Sequence, residues 1–251
     1  MDWVAPHLNE GLGNRLFQFA AAKAYAQKKN AKLVFFLPRC GKTNHGNFEH
    51  IFQLFPEVPL LETAASWNEI HESSDTHFVY QPLEGKTPLV LCGYRQSYKY
   101  FSDIKIVPNF DFINRERLKN YVEVPSFFVH IRLGDYRALP HHQIDIAKYY
   151  TSAIQQIPEN VQVLVFSDEP ALIEGLLTIP HTIVKEEEVE SLYIMSQCIG
   201  GIVGNSTFSF WGAYLAHERL PTFKAYFPSS MGQGLPNPTD YVPDWAIVVQ
   251  V

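Results

Sequence analysis

The run Phe128-Val129-His130-Ile131-Arg132-Leu133-Gly134-Asp135-Tyr136 places an imidazole and a guanidinium two residues apart, just before a Gly-Asp turn. Residues two apart in a strand share a face, so His130 and Arg132 point one way and Val129 and Ile131 the other. An arginine at the end of a buried strand is costly unless it meets an anion. Its planar fork suits a phosphate bidentately; a structural pairing with a carboxylate is the other reading. Asp135 is such a carboxylate, either the structural partner of Arg132 or a general base. Three further segments carry comparable chemistry. In Gly204-Asn205-Ser206-Thr207-Phe208, Asn205, Ser206 and Thr207 are ordinary helix caps, and the same hydroxyls and free N–H groups make an anion site. Glu10-Gly11-Leu12-Gly13-Asn14-Arg15 is a tight turn capped by Asn14 or a close approach to a ligand; no Gly-Lys-Ser/Thr follows, so it is not a phosphate loop of the Walker type. In Ser167-Asp168-Glu169-Pro170 the acids cap a helix, or one of them accepts two N–H bonds from the edge of a guanine.

The elements that must position these residues follow from periodicity. Strands are predicted at Trp3–Ala5, Lys32–Leu37, Pro88–Tyr94, Ser126–Arg132, Val161–Phe166, Thr182–Val184, Ile199–Val203, Thr222–Phe227 and Trp245–Val249. Helices are predicted at 14–29, 146–157, 169–177, 190–198 and 207–219, the first with Lys28 and Lys29 where cations suit the helix dipole. This alternation argues for parallel βαβ units. Two such regions, joined by a polar hinge at Asn114–Pro125, predict an α/β fold of two facing Rossmann-like halves, 1–120 and 121–251, with ligand held outside the carboxyl ends of the strands.

Composition narrows the function class. The chain has 251 residues and is 46% hydrophobic, enough for a packed core. A formal net charge of −6 and the absence of a basic stripe argue against a nucleic-acid partner. Cys40, Cys92 and Cys198 are odd in number and lack a Cys-x-x-Cys pair, so reduced buried thiols are expected rather than disulfides or zinc. No run approaches a membrane span, and the N-terminus lacks the basic and apolar regions of a signal peptide, so a cytoplasmic location is expected. His130, His141 and His142 make a poor metal set, and His141 and His142 read as a surface loop that could reach an acceptor. Trp67, Tyr94, Tyr98 and Tyr100 are core residues or sugar platforms.

In order and spacing, the four segments resemble those of the α-1,2-fucosyltransferase family. GLGNRLFQFAAAKAYA resembles its GGLGNQLFQYAAA signature, FVHIRLGDY its HxRRGDY motif, and FSDE its SDD segment. ESLYIMSQCIGGIVGNSTFSFWGAYLA resembles its DLYLMSxC…NSSFSWWGAWL block. The resemblance implies a GT-B-type fold, GDP-fucose as donor, a glycan acceptor, and inversion at the sugar carbon without a metal ion or other cofactor. The amino-terminal half would take the acceptor side and the carboxyl-terminal half the GDP-sugar. Arg132 would clamp the β-phosphate, His130 would touch the guanosine, and Asp168 or Glu169 would read guanine. Asn205, Ser206, Thr207 and Phe208 would hold the diphosphate, and Gly11, Gly13 and Asn14 would approach the phosphate or fucose. Without a clustered Asp/Glu pair suited to Mg²⁺, the charge growing on departing GDP would fall to Arg132 and the helix start at Ser206. The chain departs from the motifs at Leu133, where the family has a second Arg; at Arg15, in place of Gln, a candidate to compensate for that cation; and at Phe210, in place of Trp. Another GDP-sugar or linkage, and a binding module without turnover, are the rival readings.

Overall fold

The computed structural model describes residues 2–41, 46–63, 66–73, 78–173 and 175–251. The chain divides into two compact units: Met1–Asp111 with Thr239–Val242, and Phe112–Pro238 with Pro243–Val251. Each is an α/β layer structure built on parallel strands, as the sequence pattern predicts. Among the described residues, no helix is long and apolar enough to cross a membrane.

The first unit contains β1 (Trp3–Pro6), α1 (Leu12–Lys28), β2 (Lys32–Leu33), β3 (Phe35–Phe36), α2 (His50–Leu54), β4 (Leu60–Leu61), β5 (Asn68–His71) and β6 (Leu89–Cys92). Its main sheet has the order β2-β1-β6-β5, parallel throughout. The predicted strand at 32–37 is divided between two sheets. Val34 N donates to Val4 O in the main sheet, whereas Phe35 N donates to Pro59 O and β3 pairs with β4. Helix α1 is buried around most of its surface, and Phe19 stacks on Phe55 with ring centroids 3.8 Å apart. The returning segment closes the unit: Asp240 accepts from Tyr80 N at 2.9 Å and pairs with Lys99 at 2.6 Å, while Tyr241 packs on Phe17.

The second unit contains α3 (Arg115–Val122), β7 (Ser126–Ile131), α4 (Ile146–Ile154), β8 (Gln162–Ser167), β9 (Thr182–Ile183), α5 (Glu188–Gln197), β10 (Gly200–Ile202), α6 (Thr207–Arg219), β11 (Lys224–Pro228) and β12 (Ile247–Val249). Its sheet, β12-β11-β10-β7-β8-β9, is wholly parallel. Strand β7 is buried at all six positions, which explains its continuous apolar run. The strand order reverses between β7 and β10, the place where open parallel sheets form a crevice. Arg219 of α6 donates to the carbonyls of Ser196, Gln197 and Cys198, satisfying acceptors left at the end of α5.

Two sequence expectations change here. The polar hinge at 114–125 contains α3, so the boundary expected between 120 and 121 falls inside a helix. Asn114 caps that helix by accepting from Arg117 N at 3.3 Å, and Arg117 pairs with Glu186 and Glu190 at the start of α5. The polarity that suggests a hinge belongs to a surface helix held by ion pairs. The helix predicted at 169–177 is reduced to a 3-10 turn at Pro170–Leu172; residue 174 lies outside the described residues.

Candidate functional site

In the second unit, three adjacent parallel strands, β10, β7 and β8, end beside one another and deliver three of the four sequence segments. Strand β7 supplies His130 and leads into Arg132, β8 leads into Asp168, and β10 leads into the turn that starts α6.

Arg132 is held by two carboxylates. Its Nε lies 3.0 Å from Asp168 Oδ2, and its Nη2 lies 2.7 Å from Asp135 Oδ1. The side chain retains 29% exposure, and its guanidinium carbon lies 5.5 Å from the Tyr136 ring centroid. That ring stacks on His142 at 4.2 Å and 8°. Burial raises the Tyr136 hydroxyl to about 12 with Arg132 opposing, so it stays protonated at neutral pH. Asp168 is engaged twice, because its Oδ1 also accepts from Leu133 N at 2.9 Å. Gly134 packs against this carboxylate, and an added Cβ would collide with Asp168 Oδ2. Both carboxylate pairings of Arg132 are therefore present. Asp168 and Asp135 are both partners of Arg132. Glu169 follows at the same strand end; its backbone N donates to Ser167 Oγ and its carbonyl accepts from Leu172 N.

His130 is 6% exposed, and its Nδ1 is buried without a hydrogen-bond partner among the described residues. Burial first, and the Arg132 charge second, lower its pKa to about 3, so the ring is neutral at physiological pH. Tyr150 donates its hydroxyl to the His130 carbonyl at 2.6 Å. Phe208 lies 5.9 Å from the imidazole, ring to ring. Gly204 is needed at this crossing, since a Cβ there would approach the His130 carbonyl to 2.8 Å and the Tyr150 hydroxyl to 3.2 Å.

The start of α6 follows directly. Ser206 is the N-cap in extended conformation, without a capping bond from its side chain, and Thr207 and Phe208 open the helix. Helix N-terminal N–H groups here supply the partial positive charge that favours an anion. Asn205 does something else: its Nδ2 donates to His142 O at 2.6 Å and Met231 O at 3.2 Å. It braces the loop that carries His142, and through the stack the Tyr136 ring beneath Arg132. The sequence marks Asn205 as a ligand group, but its amide hydrogens go to two backbone carbonyls.

The fourth segment lies in the first unit. Gly11, not Asn14, is the N-cap of α1, and Gly13 and Asn14 sit in its first turn. Asn14 Oδ1 accepts from Gln96 Nε2 at 2.8 Å, an anchor that no local spacing reveals because the two lie 82 residues apart.

The departures from the family motifs acquire physical explanations. Leu133 is 5% exposed and belongs to the apolar cluster with Val129, Ile131, Tyr149 and Ile173. Its side chain lies in the core, opposite in alternation to Arg132. Arg15 is fully buried; its Nη1 donates to Asn47 O at 2.9 Å and its guanidinium lies 5.0 Å from the Phe48 ring centroid. Packing within the first unit holds it. Phe210 packs against Trp211, Tyr214 and Phe227 as a core residue.

Comparison with known proteins bears on the family and the fold. The chain is 37% identical over 101 residues to the O-antigen biosynthesis glycosyltransferase WbnK of Escherichia coli, covering 35% of this chain and 33% of that protein. It is 25% identical over 274 residues to an alpha-1,2-colitosyltransferase of Escherichia coli, covering 88% of this chain and 90% of that one. The fold resembles fucosyltransferase NodZ from Bradyrhizobium, with a TM-score of 0.53 at 16% identity over 84% of this chain and 91% of that one. It also resembles a family 9 glycosyl transferase from Veillonella parvula, with a TM-score of 0.52 at 10% identity over 100% of this chain and 86% of that one. The family model of Glycosyl transferase family 11 matches residues 89–228, more than half of the sequence, and the chain belongs to that family.

Proposed function

We propose that this glycosyltransferase moves fucose from GDP-fucose to a glycan hydroxyl with inversion, forming an α-1,2 linkage without a metal ion. The observation that carries the reading is the meeting of Arg132, the partnerless Nδ1 of His130 and the start of α6 at neighbouring strand ends. A sugar diphosphate leaves with growing negative charge. One guanidinium and a set of oriented N–H groups are suited to receive it.

Arg132 contacts the diphosphate through Nη1, the nitrogen that neither carboxylate engages. Asp135 and Asp168 hold the guanidinium in place. Neutral His130 offers Nδ1 to a polar group of the nucleotide, and Glu169 rather than Asp168 takes the guanine edge. Ser206 and Thr207 line the helix start, while Asn205 fixes the loop beside it. The name of the colitosyltransferase supports an α-1,2 linkage, and the name of NodZ supports fucose as the sugar.

The test is product formation from GDP-fucose with galactose- and fucose-ended acceptors in excess EDTA, with Arg132→Ala as control. Acceptor-dependent product that persists in EDTA and disappears in Arg132→Ala is the expected result. A folded protein that neither binds GDP nor releases it from GDP-fucose overturns the donor assignment, and binding without turnover identifies a non-catalytic module. A second reading, favoured by the near full-length likeness to the colitosyltransferase, keeps the transfer and changes the sugar. Competition between GDP-fucose and other GDP-sugars decides between them.

A further inference from the structure

The carboxyl end of the first unit's sheet carries a group of side chains that the proposed transfer does not use. Glu69 and His71 lie two residues apart on β5 and so share a face, and His71 pairs in register with Cys92 at the end of β6. His71 Nε2 is 2.9 Å from Glu69 Oε2, and Cys92 Sγ is 4.0 Å from the same oxygen. The three donor atoms all lie within 4.8 Å of one another. On the other side of β6, β1 continues into His7, whose N–H donates to Leu91 O at 2.9 Å.

We propose that Glu69, His71 and Cys92 form a binding site for a single zinc-class divalent cation, with water completing a tetrahedron. An imidazole nitrogen, a thiolate and a carboxylate oxygen are the donor types that such an ion takes, with bonds of about 2.0–2.3 Å. Tetrahedral bonds of that length set neighbouring donors about 3.3–3.6 Å apart. The nitrogen and oxygen must therefore separate, and the sulfur and oxygen approach, by about half an ångström each, and the nitrogen and sulfur, within 4.8 Å of each other, must approach by up to about an ångström. Thiolate and carboxylate together neutralise the ion's two charges. On binding, the Cys92 thiol gives up its proton to solvent, and the neutral His71 ring keeps its one proton on Nδ1 while Nε2 faces the cation. Arg39 pairs with the other oxygen of Glu69 and orients the carboxylate, as outer partners of metal ligands do. Its positive charge opposes the cation, so the site is weaker than a closed Cys-rich one. His71 keeps the site open to solvent, its side chain being 70% exposed, while Cys92 is buried beneath it. This inference does not depend on the identity of the sugar donor.

The experiment uses the full chain stripped by chelator and then titrated with Co²⁺, a coloured substitute for Zn²⁺. One equivalent is expected, with a thiolate-to-cobalt charge-transfer band and the visible bands of tetrahedral cobalt. Zinc should displace it in competition with a chromophoric chelator. His71→Ala, a change at an exposed position, should weaken zinc binding by more than the roughly 10–100-fold that loss of an outer partner of a ligand costs. Cys92→Ala should remove the charge-transfer band, and Cys40→Ala should leave it intact. Absence of stoichiometric binding in the wild type, unchanged affinity in His71→Ala, or a band that survives in folded Cys92→Ala overturns the site.

Discussion

Both units end their parallel sheets in polar side chains, and the two ends carry opposite chemistry. In the second unit, β10, β7 and β8 present a guanidinium, a neutral imidazole and a helix start, groups that donate to anions. In the first, β1, β6 and β5 end in His7, Cys92 and His71, with Glu69 one pleat lower, groups that give electron pairs to a cation. The topology is nearly the same: a central first strand, with later strands added on either side. What differs is the residue type at the last turn of each strand. Parallel strands and their crossovers determine where a site can form, and a handful of strand-end side chains determine what it binds.

The sharpest way to break this comparison is to move a cation across β7. Leu133→Arg restores the residue that the family motif carries, but position 133 lies in the apolar cluster of the second unit. An unpaired buried guanidinium should cost about 3–5 kcal/mol of stability and bring no tighter GDP binding. Chemical denaturation with GDP titration checks this; a variant that is as stable as the wild type and binds GDP more tightly would show that position 133 faces the site. Arg132→Ala should have the next largest effect. Loss of a preorganised charge at the leaving group corresponds to about 2.7–4 kcal/mol, or roughly 10²–10³ in kcat. Turnover that falls by less than tenfold would move the diphosphate away from the end of β7.

The second unit was largely legible in the sequence because its strands are continuous apolar runs and its functional residues sit at their ends. The span of α6 matches the predicted helix residue for residue, and His130 and Arg132 lie where the alternation places them. The pairings were less accessible. No spacing rule distinguishes Asp168, which serves Arg132 and Leu133 N, from Glu169, and none shows Asn205 turning to the His142 and Met231 carbonyls. The first unit was harder to read. Its β5 is an edge strand of sequence Asn-Glu-Ile-His, with one apolar residue in four, so neither periodicity nor hydrophobicity signals it. The cluster of Glu69, His71 and Cys92 depends on that strand pairing with β6, a relation across more than twenty residues. Arg15 was legible as a motif departure, but its burial against Asn47 and Phe48 depends on a loop contact that sequence spacing does not encode.

The neutral, buried state of His130 gives a pH-dependent way to sharpen the contrast. Its folded pKa of about 3 lies below the ordinary 6.5, and burial is the main cause. The unfolded chain therefore takes up this proton first as pH falls. Stability is complete above about pH 6.5 and is lost progressively toward pH 3. At pH 4 this single group accounts for on the order of 3 kcal/mol. His7, His142 and His217 are also lowered by burial and add to the wild-type slope, but they are unchanged in His130→Gln. The variant should therefore show a shallower fall between pH 6.5 and 4 when stability is measured by urea unfolding. Identical slopes in the two proteins would mean that His130 is solvated and charged, and would remove it as a neutral donor or acceptor at the site.

The smallest effect concerns the ring beneath Arg132. Tyr136 lies 5.5 Å from the guanidinium carbon and is itself held by the stack on His142, whose backbone Asn205 anchors. A cation over an aromatic face at a partly exposed site contributes about 0.5–1 kcal/mol. Tyr136→Leu should therefore weaken GDP binding by about two- to fivefold, while Tyr136→Phe, which keeps the ring, should bind as the wild type does. Calorimetric titration of the three proteins separates the ring from the hydroxyl. If Tyr136→Phe weakens binding as much as Tyr136→Leu, the hydroxyl is the contact and the arginine is positioned by its two carboxylates alone. If both variants bind normally, the chain from Asn205 through His142 to Tyr136 braces the loop without reaching the phosphate site.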